Sequence, residues 1–343
     1  MEKKSNKTLK SVLTVVISLA FAGFFLWLAL KGLDFKVIQK SLAKANYWWV
    51  LFAACFGIAA YWFRAVRWNL LFEPMGYNIS NSNSFWTISF GYLMNLTIPR
   101  SGEVARATAL YGVEKVPVDK SIGTIILERV VDLVCMIAFL GLTLIFKFNT
   151  IVSFWKYIEK EFLKKVDNAL FYLYIFLAFF AVLLLLFFVF KNRIKNNIIY
   201  IKVIGVLLGI LEGLKSIFKL KQKGKFIFYT VGIWVSYYFA AYLVCFALPE
   251  TSDFTFDDGF LILVVGTFGM IIPASGGIGA FNLAMKYGFM ALFISMGKNG
   301  EMGGEVGLTY SFISLPLQIC IMLVMGLVSI PMLAKARNNI IEE

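Results

Sequence analysis

Six apolar runs of membrane-crossing length punctuate this chain, at residues 12–30, 47–71, 121–147, 169–190, 226–248 and 307–333. A helix rises 1.5 Å per residue, so about 20 apolar residues cover the roughly 30 Å hydrocarbon layer of a bilayer. With 60% hydrophobic and 15% charged residues among 343, and a mean hydropathy of +0.78, a soluble core cannot hide this much apolar surface. The expected fold class is an all-α polytopic membrane protein, a single integral membrane domain over residues 1–343. That excludes an ordinary soluble enzyme. The chain contains no histidine, so imidazole acid/base catalysis, Ser-His or Cys-His nucleophiles and imidazole-bound zinc are excluded as well. Cys55, Cys135, Cys245 and Cys320 stand singly inside apolar runs and read as packing residues.

The net charge of +13 is spread over short connections between apolar runs, which suits anionic lipid headgroups better than nucleic acid. Basic residues precede the run at 12–30, which reads as a signal anchor without a cleavage site. Residues 191–225 carry nine Lys or Arg and are expected on the cytoplasmic side, with the one-sided stretch 198–220 lying in the interface. Gly205, Gly209 and Gly213 give that stretch a smooth face for helix contact. The loop after the run at 226–248 holds Glu250, Asp253, Asp257 and Asp258 and no lysine, as an outside loop should. Both termini are therefore expected in the cytoplasm of a cell-membrane protein. One loop runs against this tally: residues 31–46, placed outside, contain four lysines. In the run at 47–71, Trp48 and Trp49 stand about 30 Å from Trp68 along a helix, the spacing of two interfacial belts. Arg64 and Arg67 then read as inner-face anchors that snorkel, with headgroup capture as the other reading.

Two further stretches are apolar but interrupted. Arms at 84–98 and 100–111 flank IPRSGEVAR, and arms at 259–272 and 277–295 flank IPASGGIGAFN. Each arm is too short to cross comfortably. Proline, glycine and charge at membrane depth are tolerated only where backbone is buried in protein or faces a watery cavity. The reading is two re-entrant or broken-helix hairpins added to about six full spans, giving about eight apolar segments. The pentapeptides IPRSG and IPASG are alike, and the topology enters them from opposite sides, as in an inverted repeat. Two unrelated proline kinks are the alternative. In the repeat reading a half-helix begins after each hinge, and its free N–H groups and positive dipole end can hold phosphate.

At these residues the chain resembles a known family. NLTIPRSGEVAR (95–106) is similar to its Asn-x-x-x-Pro-x-x-Gly-Glu-x-x-Arg pattern, ERVVDL (128–133) to its Glu-Arg-x-x-Asp segment, and IPASGGIGAF (272–281) to its Pro-x-x-Gly-Gly-x-Gly segment. The family is the flippase-like membrane domain of lysylphosphatidylglycerol synthases, which also occurs as stand-alone membrane proteins. The resemblance implies movement of an anionic phospholipid between leaflets. In the full synthases a separate soluble domain attaches the amino acid; here only ten residues follow the last run, so the resemblance favours translocation over synthesis. The chain departs from the pattern at Asn282, where the family often has Glu, so a carboxylate role is not carried over.

The candidate substrate-binding residues are Arg100, Ser101, Gly102, Glu103 and Arg106 at the first hinge and Ser275, Gly276, Gly277 and Asn282 at the second. A charge at membrane depth costs roughly 2.5–3.5 kcal/mol on insertion scales and marks function by default. Arg100 and Arg106 read either as phosphate contacts, with Glu103 orienting one of them, or as a snorkelling pair with Glu103 as counter-ion. Glu128, Arg129 and Asp132 form a supporting charge cluster, either a neutral pin between span and hinge or a proton site. Asn95, Asn282 and Ser275 could bond a headgroup or satisfy broken backbone. The function expected is a lipid translocase for a phosphate-bearing lipid, with no catalytic residue, metal or cofactor expected. A membrane-embedded lipid-modifying transferase and an accessory scaffold are the alternatives. A transferase needs a donor site, and Gly276-Gly277-Ile278-Gly279 lacks the lysine of a nucleotide loop.

Overall fold

The computed structural model describes Trp27 and residues 35–98, 101–165, 220–271 and 277–342. The runs at 12–30 and 169–190, the interfacial stretch up to residue 219, and Arg100, Ser275 and Gly276 lie outside the described residues. From residue 35 onward the described residues form nine helices in order: α1 Phe35–Lys44, α2 Tyr47–Phe72, α3 Asn81–Thr97, α4 Gly102–Glu114, α5 Val118–Lys165, α6 Lys223–Cys245, α7 Asp258–Ile271, α8 Ala280–Ser295 and α9 Gly300–Glu342. Among the described residues there is no strand. Four of these segments are long and apolar enough to cross a membrane: Tyr47–Met75, Val118–Lys160, Lys223–Cys245 and Gly300–Asn339. They coincide with four of the six runs expected from sequence. The molecule is an all-α integral membrane protein.

The element order repeats. A crossing helix (α2, α6) leads through a short 3-10 turn containing proline (Glu73–Met75, Pro249–Thr251) into two short helices and then one very long helix (α5, α9). The two crossing helices run antiparallel, as their ring contacts show: Trp49 meets Phe246 at 5.2 Å, Phe56 meets Phe239 at 5.1 Å and Phe63 meets Phe228 at 6.5 Å. At the end of the pair the Asn46 N–H donates to the Ala247 carbonyl at 2.8 Å. Because α2 and α6 point in opposite directions, the structures that follow them begin at opposite ends. The described halves thus share an element order and run in opposite directions, the arrangement an inverted repeat requires.

Two cores mark the two ends. Trp68, Leu71, Phe72, Leu110, Val116, Ile125 and Phe226 join the end of α2 to α4, α5 and the start of α6. Val50, Ala53, Val244, Leu248, Phe281, Phe289 and Tyr310 join the start of α2 to α8, α9 and the end of α6. Each pair of short helices reaches both long helices: α3 and α4 both pack on α9 and α4 also on α5, while α7 and α8 both pack on α5 and α8 also on α9. Outward faces are apolar, as lipid requires: on α5, Leu133, Ile137 and Ile145 are exposed while Glu128 is buried. α5 is broken at Lys147 into two helical pieces, and the first alone, residues 118–146, extends about 44 Å, beyond the hydrocarbon layer.

Both hairpins close by direct backbone approach. α3 and α4 are 17 and 13 residues long, about 25 and 20 Å, too short to cross singly. They pack so tightly that a Cβ on Gly102 would strike the Gly91 carbonyl oxygen and the Asn95 side chain. Glycine is required there by space. In the second hairpin Gly279 has φ +84°, a backbone conformation that only glycine adopts without strain.

Candidate functional site

Among the described residues, the first hairpin holds a buried charge network. On α2, Arg64, Arg67 and Trp68 lie at i, i+3 and i+4, hence on one face. On α5, Glu128 and Asp132 lie at i and i+4, and α4 supplies Arg106 from the return arm of the hairpin. Arg64 pairs with Asp132 through its Nη2 and donates from Nη1 to the hydroxyls of Tyr92 on α3 and Tyr237 on α6. Arg67 donates through Nη2 to Asp132 at 2.9 Å and lies 3.5 Å from Glu128. Arg106 donates to the other oxygen of Glu128 at 2.6 Å, and its guanidinium stacks 3.5 Å from the ring centre of Trp68. The Trp68 indole N–H is held in turn by Thr124 Oγ1 at 2.9 Å.

Burial makes this network consequential. Arg64, Arg67, Arg106 and Glu128 are exposed by only 5%, 0%, 8% and 1%. Three guanidinium groups face two carboxylates, leaving one positive charge inside. Around it, Tyr61 Oη, Arg64 Nε, Arg67 Nε and Nη1, and Arg106 Nε are buried without a protein partner. Such groups are uncommon, because a buried donor left without an acceptor costs about 1–3 kcal/mol.

Several sequence expectations are corrected by this geometry. Arg64 and Arg67 are interior ion-pair partners, not snorkelling anchors. Trp68 is fully buried against Arg106 instead of marking an interface. The expected cluster of Glu128, Arg129 and Asp132 divides between two faces. Consecutive residues stand about 100° apart on a helix, so Arg129 points away from Glu128. It donates to Glu103 at 2.9 Å, and both side chains are about half exposed. Glu103 therefore orients Arg129 and not Arg106. Sequence reasoning offers headgroup capture for Arg64 and Arg67 only as the second reading, and it does not single out Tyr92 or Tyr237. The usable signal was the matching spacing of opposite charges in two apolar runs, 64 and 67 against 128 and 132.

At the hinges, the polar groups serve the backbone. The Ser101 hydroxyl lies 2.8 and 2.9 Å from the carbonyls of Ile98 and Met94. The Gly102 N–H donates to Asn95 Oδ1 at 2.8 Å, which occupies the first donor of α4. In the second hairpin the Gly279 N–H donates to Asn282 Oδ1 at 2.9 Å, while Asn282 Nδ2 donates to Ser311 at 2.7 Å. Gly277, beside it, has φ +74° and is packed against Met270. The Asn282 to Ser311 bond ties α8 to α9 as Arg106 to Glu128 ties α4 to α5. Ser311 stands eleven residues beyond the start of α9, and Glu128 ten beyond the start of α5. At this one contact the first half uses a charged pair and the second an amide and a hydroxyl.

Among known proteins, the chain is similar to the UPF0104 membrane protein MJ1595 of Methanocaldococcus jannaschii, at 30% identity over 156 residues, 45% of this chain and 44% of that protein. The aligned stretch thus spans less than half of that relative's length. No solved structure matches. The family model described as the lysylphosphatidylglycerol synthase TM region matches residues 15–334, nearly the whole sequence. With its apolar crossing helices, paired hairpins and three motifs in order, the chain belongs to the lysylphosphatidylglycerol synthase transmembrane-region family.

Proposed function

We propose that this protein is a lipid translocase, moving a phosphate-bearing, anionic lipid between the leaflets of the cell membrane, with both termini in the cytoplasm. Membership of a family named for lysylphosphatidylglycerol supports a phospholipid partner. The observation that carries the reading is Arg106. It sits on the return arm of a hairpin and binds Glu128, on a helix long and apolar enough to cross a membrane, inside a buried, net positive network. An interior positive charge lowers the barrier for an anionic headgroup whose hydration must be replaced, while the acyl tails stay in lipid. The inverted relationship of the two halves supports alternating exposure of such a site to either leaflet.

Reconstitution tests this. The purified protein, without nucleotide or aminoacyl donor, is placed in liposomes with a labelled panel of anionic glycerophospholipids and polyprenyl phosphates. Leaflet accessibility and covalent change are both scored. Protein-dependent movement without a new product is expected. A donor-dependent product with no movement favours the transferase, and neither signal favours the scaffold.

A further inference from the structure

We infer that the Arg64, Arg67 and Arg106 network is an occluded anion site matched to one negative charge, so that its occupant is the phosphodiester of a lipid headgroup and not a phosphomonoester. The inference deepens the translocation reading and rests on it for the lipid.

Charge comes first. The network holds three guanidinium groups and two carboxylates, all bonded to one another, with a surplus of one positive charge. Surplus charge away from water is unfavourable until a counter-ion meets it. A phosphodiester carries one negative charge and brings the sum to zero. A phosphomonoester carries about 1.5 to 2 near neutral pH and overshoots.

Donors come second. Arg67 is fully buried, yet its Nε and Nη1 have no protein acceptor, and the Nε atoms of Arg64 and Arg106 and the Tyr61 hydroxyl are in the same position. On Arg67 the Nε–H and Nη1 point to different sides of the guanidinium, each flanking the Nη2 that the carboxylates hold, so each is left to give its own single bond to an anion oxygen. The hinges are weaker candidates for the anion. Their described N–H groups at Gly102 and Gly279 are taken by Asn95 and Asn282.

Access comes third. Two of the three arginines belong to the crossing helix α2, and the third rides on α4 of the hairpin. Arg106 closes the network through Glu128 and the face of Trp68, so displacement of α4 opens it without disturbing Arg64 or Arg67.

The test uses the full chain in a maltoside detergent, which contains no phosphate, at about pH 8, where a monoester carries close to two charges. The probes are dihexanoyl phosphatidylglycerol, dihexanoyl phosphatidic acid, dimethyl phosphate and a dihexanoyl diacylglycerol, read by calorimetry and thermal shift. The diester lipid is expected to bind about tenfold or more tightly than the monoester lipid, with dimethyl phosphate weaker but competitive and the diacylglycerol inert. Arg67→Gln removes the surplus charge and should weaken the diester by about tenfold. Glu128→Gln raises the surplus to two, so the preference should invert and the monoester should become the better thermal stabiliser. That gain cannot arise from misfolding. Equal binding of both lipids, or an unchanged preference in Glu128→Gln, overturns the inference. Dimethyl phosphate binding as tightly as the diester lipid overturns the headgroup assignment and leaves a site for a soluble phosphodiester. In liposomes, lipid movement without any preference sinks the charge match alone. Preference and inversion without movement sink the translocation reading alone.

Discussion

Arg67 and Arg106 meet at one carboxylate: Glu128 faces Arg106 Nη2 with one oxygen at 2.6 Å and Arg67 Nη2 with the other at 3.5 Å. The two arginines lie on α2 and α4, and Glu128 lies on α5, so a single buried side chain fastens the hairpin to two membrane-crossing helices. Movement of the hairpin must exchange these bonds for others. Its mechanics are therefore electrostatic as well as apolar.

Glu128→Ala should destabilise the protein by about 3–5 kcal/mol, because it strips a counter-charge from guanidinium groups that remain buried. The pairing itself is measured by a double-mutant cycle of Arg106→Gln with Glu128→Gln, read by unfolding in detergent. A coupling of about 0.5–3 kcal/mol is expected. Strictly additive losses would mean that the two residues do not act together.

What sequence revealed followed from constraints local to one helix. The bilayer sets the length of an apolar run, so α2, α5, α6 and α9 were legible from residue type alone. The hairpins were legible because IPRSG and IPASG interrupt arms too short to cross. The burial of Arg64 and Arg67 was not legible, because hydropathy along one segment treats a charge near a helix end as snorkelling. The deciding fact is a partner on another helix, Asp132, which lies 68 residues from Arg64 in sequence. Arg129 was misassigned for the opposite reason. Its neighbours in sequence suggested a cluster, while the 100° step of the helix sends it to Glu103. Asn282 stood out as the place where a family carboxylate is absent, but its work for Gly279 and Ser311 required the fold.

Gly102→Ala should weaken the first hairpin. Its Cβ would run into the Gly91 carbonyl oxygen and the Asn95 amide, and backbone cannot step aside as a side-chain tip can. A loss of about 1–3 kcal/mol is expected, with reduced transport. Gly123→Ala on α5 is the control, since a Cβ there meets nothing within 4 Å. The substitution should be neutral or slightly stabilising through helix propensity. Thermal unfolding of both variants checks the pair, and equal behaviour would contradict the close approach of α3 and α4.

Asn95→Ala and Asn282→Ala should behave alike. Each removes the acceptor for the N–H of a glycine at the start of a hairpin's return arm, Gly102 or Gly279. Leaving that donor unpaired costs about 1–3 kcal/mol, and Asn282 additionally releases Ser311. Thermal stability should fall in both while the ranking of lipids in a transport assay stays unchanged. A changed lipid ranking at full stability would instead make the asparagine a headgroup contact.

The antiparallel pairing of α2 and α6 also fixes how labels must distribute if α6 crosses the membrane once. α6 has 23 residues, about 35 Å, with Lys223 at its start and Asp253 in the acidic loop just beyond its end. These positions should face opposite compartments. The acidic loop belongs outside by the charge rule, and the basic end of α6 belongs inside. In a background with Cys55, Cys135, Cys245 and Cys320 replaced, Lys223→Cys and Asp253→Cys are introduced separately and exposed to an impermeant thiol reagent on intact cells. Asp253→Cys should label at once, and Lys223→Cys only after permeabilisation. The reverse pattern would invert the orientation of both hairpins while preserving their opposition. Labelling of both positions from outside would mean that α6 does not cross, and the inverted arrangement on which alternating access depends would fall with it.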